Sequence, residues 1–174
     1  MIKSFLFSLF LLQWLAPNAQ QSKQVQLYAY EQQVIPGAQK AKDIDGDDNG
    51  NSANESGKKY NYFFYAVSAS ALRMYPVELW VKGKKYGVQF KTVSSPVTFT
   101  DGHIPGNPKT SVLVPKTGNK VLQLIPTDVI AGKNYPTAER LATQNEIVFV
   151  FKQGGKFYYQ TKPELLRLDA AVLQ

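Results

Sequence analysis

Short runs of alternating apolar and polar residues dominate this chain after residue 19. Alternation with a period of two places every second side chain on the same face, so each run predicts a half-buried β-strand. The run at 60–70 is apolar on both faces and predicts a central strand. The alternating runs lie at 24–30, 77–81, 86–90, 111–115, 120–126 and 147–151.

Glycines at the turns join neighbouring runs into hairpins. Gly83 follows the run that ends at Val81, and Gly154 with Gly155 follows the run that ends at Phe151. Glycine adopts positive φ without steric cost, which the tight turns of β-hairpins require. These strands are therefore expected to pair with their neighbours along the chain.

Helical signals are few. Residues 135–143 carry the one clear helix start, and 163–173 fit either a terminal helix or a last strand, with propensity favouring the helix. About seven to nine short strands with little helix are typical of an antiparallel β-sandwich. The sequence therefore predicts an all-β fold, an immunoglobulin-like sandwich, with a short C-terminal helix or strand.

The first residues form a different pattern. Lys3 precedes a mostly apolar run at 4–15, and small residues follow it up to Ala19. A positive start, an apolar core and a small-residue exit are typical of a secretory signal peptide, and the run is shorter than the roughly 20 residues of a membrane span. We expect cleavage of 1–19. Residues 20–174 then form a single exported domain without a transmembrane segment, placed in the periplasm, at the outer membrane or outside the cell.

Composition limits the chemistry available to this domain. The chain has no cysteine, which excludes disulfides and cysteine-based metal sites. Its formal charge is +7, and lysine far outnumbers arginine. Arginine is preferred for bidentate phosphate recognition, so nucleic-acid binding is disfavoured. The partners expected are another exported or outer-membrane protein, or a glycan.

An acidic segment at 38–59 departs from the basic character of the rest. It is read as a long exposed loop, since it holds almost no large aliphatic residue. Within it, Gly50 stands sixth in a pattern that resembles the start of a calcium loop, but Ser56 replaces the closing glutamate. The calcium ligands of this hypothesis are Asp45, Asp47 and Asn49. A solvated loop without metal is the alternative, so the expected cofactor is either none or calcium.

Calcium binding at this segment should stabilise the fold. At about a hundred times its dissociation constant, calcium should raise the melting temperature by about 5–10 °C, because it binds the folded state only. Thermal unfolding in EDTA and in millimolar calcium measures the effect, which Asp45→Ala with Asp47→Ala should remove. An unchanged melting temperature in the unmodified protein would contradict the calcium hypothesis.

Catalytic patterns are weak. His103 is the sole histidine, so paired-histidine metal motifs are impossible, and no serine stands in a nucleophile-elbow pattern. Among the aromatic residues, Trp80 and Tyr86 are assigned to a binding surface, and the neighbours of Trp80, Glu78 and Lys82, indicate that it faces outward.

These observations favour recognition over catalysis. The sequence predicts an exported, non-catalytic binding or interaction module, an accessory component of a cell-envelope assembly. A calcium-stabilised glycan-binding module is the first alternative, and a small secreted hydrolase is the second.

Overall fold

A computed structural model describes residues 24–35, 59–69, 73–101, 109–130 and 135–172. Within these ranges the chain forms ten strands and one short helix. In chain order they are β1 (Val25–Ile35), β2 (Lys59–Ser68), β3 (Met74–Val81), β4 (Lys84–Val93), β5 (Val97–Asp101), β6 (Lys109–Val114), β7 (Lys120–Val129), α1 (Pro136–Ala142), β8 (Ile147–Gln153), β9 (Lys156–Lys162) and β10 (Leu166–Val172).

Eight of the strands form one sheet in the order β10-β1-β2-β7-β4-β3-β8-β9, while β5 and β6 form a separate hairpin. The strand pairs are antiparallel except β1 with β10, which run parallel. Pairing between β3 and β4 covers only residues 78–81 against 84–87. The sheet is therefore narrow at this point, where it can bend.

One face of the eight-stranded sheet forms the main core. Because strands near both ends of the order contribute to this core and β9 contacts β1, the sheet is curled around it. We call this face the inner face. Its largest fully buried side chains are Leu27, Phe64, Leu79, Leu122, Leu124, Ile147, Phe149 and Phe151.

The opposite, outer face is covered in two places. The β5–β6 hairpin lies over β1, β2 and β7, where Leu113 packs with Tyr65 and Val121. Helix α1 lies over β3 and β8, where Ala138 packs with Trp80. Each cover removes from water apolar side chains that alternation places on the outer face.

The all-β class predicted from the sequence is confirmed. The finer prediction of an immunoglobulin-like sandwich is not confirmed by this strand order. The helix predicted within 135–143 is confirmed as α1. Of the two alternatives predicted for the C-terminal segment at 163–173, the strand is confirmed as β10 at Leu166–Val172, because pairing with β1 outweighs the weak helix propensity.

Other predictions fall outside the described residues. The signal peptide at 1–19 lies outside them, and so does the acidic loop at 38–59 except Lys59, which begins β2. The single-domain organisation of 20–174 stays a prediction. No helix in the described ranges has the length and hydropathy needed to cross a membrane.

Candidate functional site

A carboxylate interrupts the apolar inner face of β1. Val25, Leu27 and Ala29 belong to the core, and the period of two places Glu31 on the same face. Glu31 is only 3% exposed. A buried carboxylate is costly unless cations and hydrogen bonds compensate its lost hydration. This end of the inner face must therefore supply partners for it.

Two cations compensate the Glu31 charge, one at each oxygen. Lys82 Nζ lies 2.6 Å from Glu31 Oε2, and Arg167 Nε lies 3.2 Å from Oε1. The Glu31 side chain is 4% exposed, whereas those of Lys82 and Arg167 are 40% and 86% exposed. A buried carboxylate thus holds two cations at the surface. We call this end of the inner face, with Glu31, Gln33, Tyr60, Lys82 and Arg167, the mouth.

Lys82 reaches Glu31 from the tight turn between β3 and β4. The φ angles are 48° at Lys82 and 76° at Gly83, so both turn residues are left-handed, as a type I′ hairpin requires. A lysine in this region costs roughly 1–2 kcal/mol. The Lys82 amide donates to the Glu146 carbonyl at 2.7 Å, which ties the turn to the start of β8 beside the mouth.

The parallel register of β1 and β10 places Arg167 beside Glu31, its partner in the ladder. Two residues after Glu31 on β1, Gln33 lies opposite two residues of β10, Asp169 and Ala170. The extra residue makes a β-bulge in β10. Gln32 Nε2 donates to the carbonyl of Asp169 in this bulge at 2.9 Å. Bulges bend a strand and re-aim its side chains, and they are common next to functional sites.

A row of aromatic rings runs from the mouth into the core along β2. The ring centroids of Tyr60 and Tyr62 are 6.3 Å apart, and those of Tyr62 and Phe64 are 5.9 Å apart. Lys82 Nζ lies 5.2 Å from the centroid of the Tyr60 ring, within the range of a cation–π contact. Exposure falls from 36% at Tyr60 to 0% at Phe64, so Tyr60 is the solvent end of the row.

Burial and charge shift the protonation of two groups beside Glu31. Burial raises the pKa of Tyr62 above 10.0, with a smaller lowering by Lys82 and a smaller raising by Glu31. For Lys82, burial lowers the pKa. The hydrogen bond and charge of Glu31, aided by Tyr62 and Glu146, outweigh it and raise the pKa of Lys82 above 10.5. Both groups therefore keep their protons at neutral pH.

Alkaline pH is expected to weaken the Lys82–Glu31 ion pair. Because the folded-state pKa of Lys82 lies above 10.5, the stability from this pair is complete below pH 10.5 and is lost as the pH rises through the folded-state value. The free energy of unfolding should therefore fall more for the unmodified protein than for Lys82→Met between about pH 9 and about pH 11.5. Urea denaturation at both pH values measures this, and equal losses in the two proteins would contradict it.

Two neighbouring clefts share Glu31 and Arg167. The first has a volume of about 240 Å³ and is lined by Glu31, Gln33, Tyr60, Arg167, Leu168 and Ala170. The second is more open, has a volume of about 470 Å³, and is lined by Glu31, Glu146, Glu164, Leu165, Leu166 and Arg167. Besides these shared residues, the first cleft has neutral polar groups and the second has additional carboxylates.

The chemistry of the first cleft is that of hydrogen bonding. Arg167 donates, the Gln33 amide and the Tyr60 hydroxyl both donate and accept, and Glu31 accepts. Over the ranges that the structure describes, no group of three or more His, Cys, Asp or Glu side chains is placed to hold a metal ion. The arrangement is suited to holding a small polar ligand.

The two aromatic residues predicted for a binding surface lie elsewhere. Trp80 is on the outer face, as alternation predicts, but α1 covers it. The residue is 6% exposed, and its Nε1 donates to Glu78 Oε1 at 2.8 Å. The expectation that Trp80 presents its ring to solvent is therefore corrected. Tyr86 is half-buried and packs against the inner core. Neither ring lines the two clefts, and a binding role for either stays a prediction.

The other sequence-based site residues cannot be placed. The calcium ligands Asp45, Asp47 and Asn49 lie outside the described residues, and so does His103. Calcium binding therefore stays a prediction.

Sequence reasoning missed the charged residues of the mouth, Glu31, Lys82 and Arg167. One signal for Glu31 was present: it continues the inner-face positions of Val25, Leu27 and Ala29 and so puts a carboxylate where the pattern requires an apolar residue. Lys82 and Arg167 gave no such signal, since each reaches Glu31 only through the fold of the sheet.

The mouth is defined by its geometry. Comparison of the chain with models of known protein families, with curated proteins and with solved structures finds no match.

Proposed function

We propose that this protein is an exported, non-catalytic binding module that holds a sugar at the mouth. The observation that carries the proposal is the state of Arg167. Its side chain is 86% exposed, yet its Nε is held by a carboxylate that is 4% exposed. Among the described residues, the Arg167 side chain bonds Glu31 through Nε and has no hydrogen-bond partner at its terminal nitrogens, and Arg167 lines both clefts.

An exposed cation fixed in this way is a preorganised donor. A free arginine on a protein surface loses side-chain entropy when it binds a ligand, and this loss weakens affinity. Glu31 holds the Arg167 side chain in place beforehand, so less entropy is lost on binding. The ion pair between the buried Glu31 and the largely exposed Arg167 adds little to the stability of the fold. This supports a role for the pair in recognition.

The size and lining of the first cleft favour a sugar. Its volume of about 240 Å³ lies below the roughly 300–1,000 Å³ of sites for drug-sized ligands, so it accommodates about one ring-sized residue. Gln33 and Tyr60 each offer a donor and an acceptor, which is what a hydroxyl group requires. A sugar residue matches both properties.

The same proposal includes export, binding without catalysis and a role as an accessory component of a cell-envelope assembly. Export rests on the signal-like pattern at 1–19. Binding without catalysis is supported by Glu31, because each of its oxygens is engaged by a cationic donor and it serves to anchor them.

Affinity electrophoresis of the purified protein through gels containing neutral and acidic polysaccharides tests the proposal. At least one polysaccharide should retard the protein, and Tyr60→Ala should remove most of that retardation. Tyr75→Ala is the matched control, since Tyr75 is 58% exposed and lies at the end of β3 away from Lys82. Equal retardation of both variants, or none with any polysaccharide, would contradict the proposal.

A further inference from the structure

We infer that the sugar held at the mouth is an acidic one, whose carboxylate is bound by Arg167. This inference rests on the proposed function and adds the chemical class of the ligand. It follows from the charge at the mouth, the geometry of the guanidinium and the remaining polar groups of the first cleft.

The charges of the mouth favour an anionic ligand. Glu31 is paired with both Lys82 and Arg167, so these three residues leave an excess of one positive charge. Because both Glu31 oxygens are already engaged by cations, its repulsion of a second carboxylate is offset. The chain as a whole carries +7, which also attracts anions.

The two clefts differ in how well they suit an anion. The second cleft is lined by Glu146 and Glu164, and Glu146 Oε2 already accepts a hydrogen bond from the Leu165 amide at 2.7 Å. These carboxylates repel an anion in the second cleft. The first cleft has no carboxylate except the paired Glu31, so a bound anion is placed there.

The guanidinium supplies the specific contact. Arginine binds a carboxylate with two parallel N–H donors in a planar fork. Arg167 donates its Nε–H to Glu31, and its two terminal nitrogens remain available to donate to a second carboxylate. Lys82 is held by Glu31 and by the Tyr60 ring, so it adds positive charge at a fixed position.

The rest of the first cleft favours a hydroxyl-rich ligand over an acidic peptide. Gln33 and Tyr60 line the cleft, and neither side chain has a hydrogen-bond partner among the described residues. The hydroxyl groups of a uronic acid pair with both while its carboxylate meets Arg167. An acidic peptide side chain has the carboxylate but no hydroxyl groups, so it leaves these polar groups unpaired.

Isothermal titration calorimetry with a short galacturonate oligosaccharide and its methyl ester tests the inference. The ester keeps the sugar and removes the charge. We expect the acid to bind the unmodified protein at least about tenfold more tightly than the ester, because hydrogen bonds to charged groups are strong. Arg167→Gln should remove this preference, so that acid and ester bind with about equal affinity. Arg167→Lys should keep part of the preference, because lysine retains the charge but lacks the planar fork of two parallel donors.

Arg140→Gln is the matched control. Arg140 is exposed on α1, which covers the outer face, and it lines neither cleft, so its loss should leave the preference for the acid unchanged. Thermal unfolding of each variant checks that the fold is intact, which is expected because Lys82 still pairs with Glu31 when Arg167 is replaced.

The outcomes separate the inference from the proposed function. Equal binding of acid and ester, both weakened by Tyr60→Ala, would overturn the acidic-sugar inference and leave the sugar-binding function standing. Binding of a glutamate oligopeptide in place of galacturonate would overturn the inference in favour of an acidic peptide. Failure of both sugars and of every polysaccharide to bind would overturn the proposed function itself.

Discussion

Replacing Lys82 and Arg167 together by methionine is expected to lower the free energy of unfolding by about 3–5 kcal/mol. The double change removes both partners of Glu31 and leaves its 4% exposed carboxylate without a compensating charge. Methionine keeps the length and the flexible stem of both side chains, and at Lys82 it retains the left-handed backbone cost of a non-glycine residue. Urea denaturation at neutral pH measures the loss.

Adding Glu31→Gln to this double variant should recover most of the lost stability, since the buried charge is then gone. A matched control removes an ion pair that is not buried. Lys109 Nζ lies 2.7 Å from Asp169 Oδ2, but these side chains are 72% and 61% exposed, so Lys109→Met should cost less than about 1 kcal/mol. If the variant with Lys82→Met and Arg167→Met lost no more stability than Lys109→Met, the account of Glu31 as a buried charge held by two cations would be contradicted.

Phe149→Ala is expected to destabilise the fold by a comparable amount, about 3–5 kcal/mol. Phe149 is 0% exposed, and its ring lies 5.3 Å from that of Phe151, measured between centroids. It lies on β8 between β3 and β9, so truncation opens a cavity in the core that the curled sheet encloses. Chemical denaturation gives the loss directly.

Val129→Ala serves as the comparison for Phe149→Ala. Val129 is 63% exposed at the end of β7, and its truncation should change the free energy of unfolding by no more than about 0.5 kcal/mol. If Phe149→Ala cost no more than Val129→Ala, the inner face would not be the packed core described above.

The elements that could be predicted from the sequence are those set by neighbours in the chain. The glycine turns at Gly83 and at Gly154 with Gly155 have positive φ, and the hairpins β3–β4 and β8–β9 form around them as expected. Alternation and turn chemistry act within a few residues, so local patterns determine these features. The short helix α1 belongs to the same class.

The elements that could not be predicted depend on contacts between distant parts of the chain. Strand β10 has helix-favouring residues, and only its parallel pairing with β1 makes it a strand. The burial of Trp80 has the same origin: alternation gave the correct face, but nothing in the local pattern showed that α1 would cover that face.

The mouth combines both cases. Glu31 was visible in principle as a polar residue on the apolar face of β1, whereas its partners come from a turn about fifty residues away and a strand still more distant. A charged side chain at a core position is therefore a sequence signal of a candidate functional site, since such positions tend to be functional.

The most direct test of the mouth as the ligand site is an NMR titration of the isotope-labelled protein with the galacturonate oligosaccharide. We predict that the Arg167 Nε–H and the Gln33 side-chain amide shift with a single binding curve, while the amides of Gly154 and Gly155 at the far hairpin do not. Shifts confined to that hairpin or to α1, or no shift at saturating sugar, would contradict the assignment of the mouth as the ligand site.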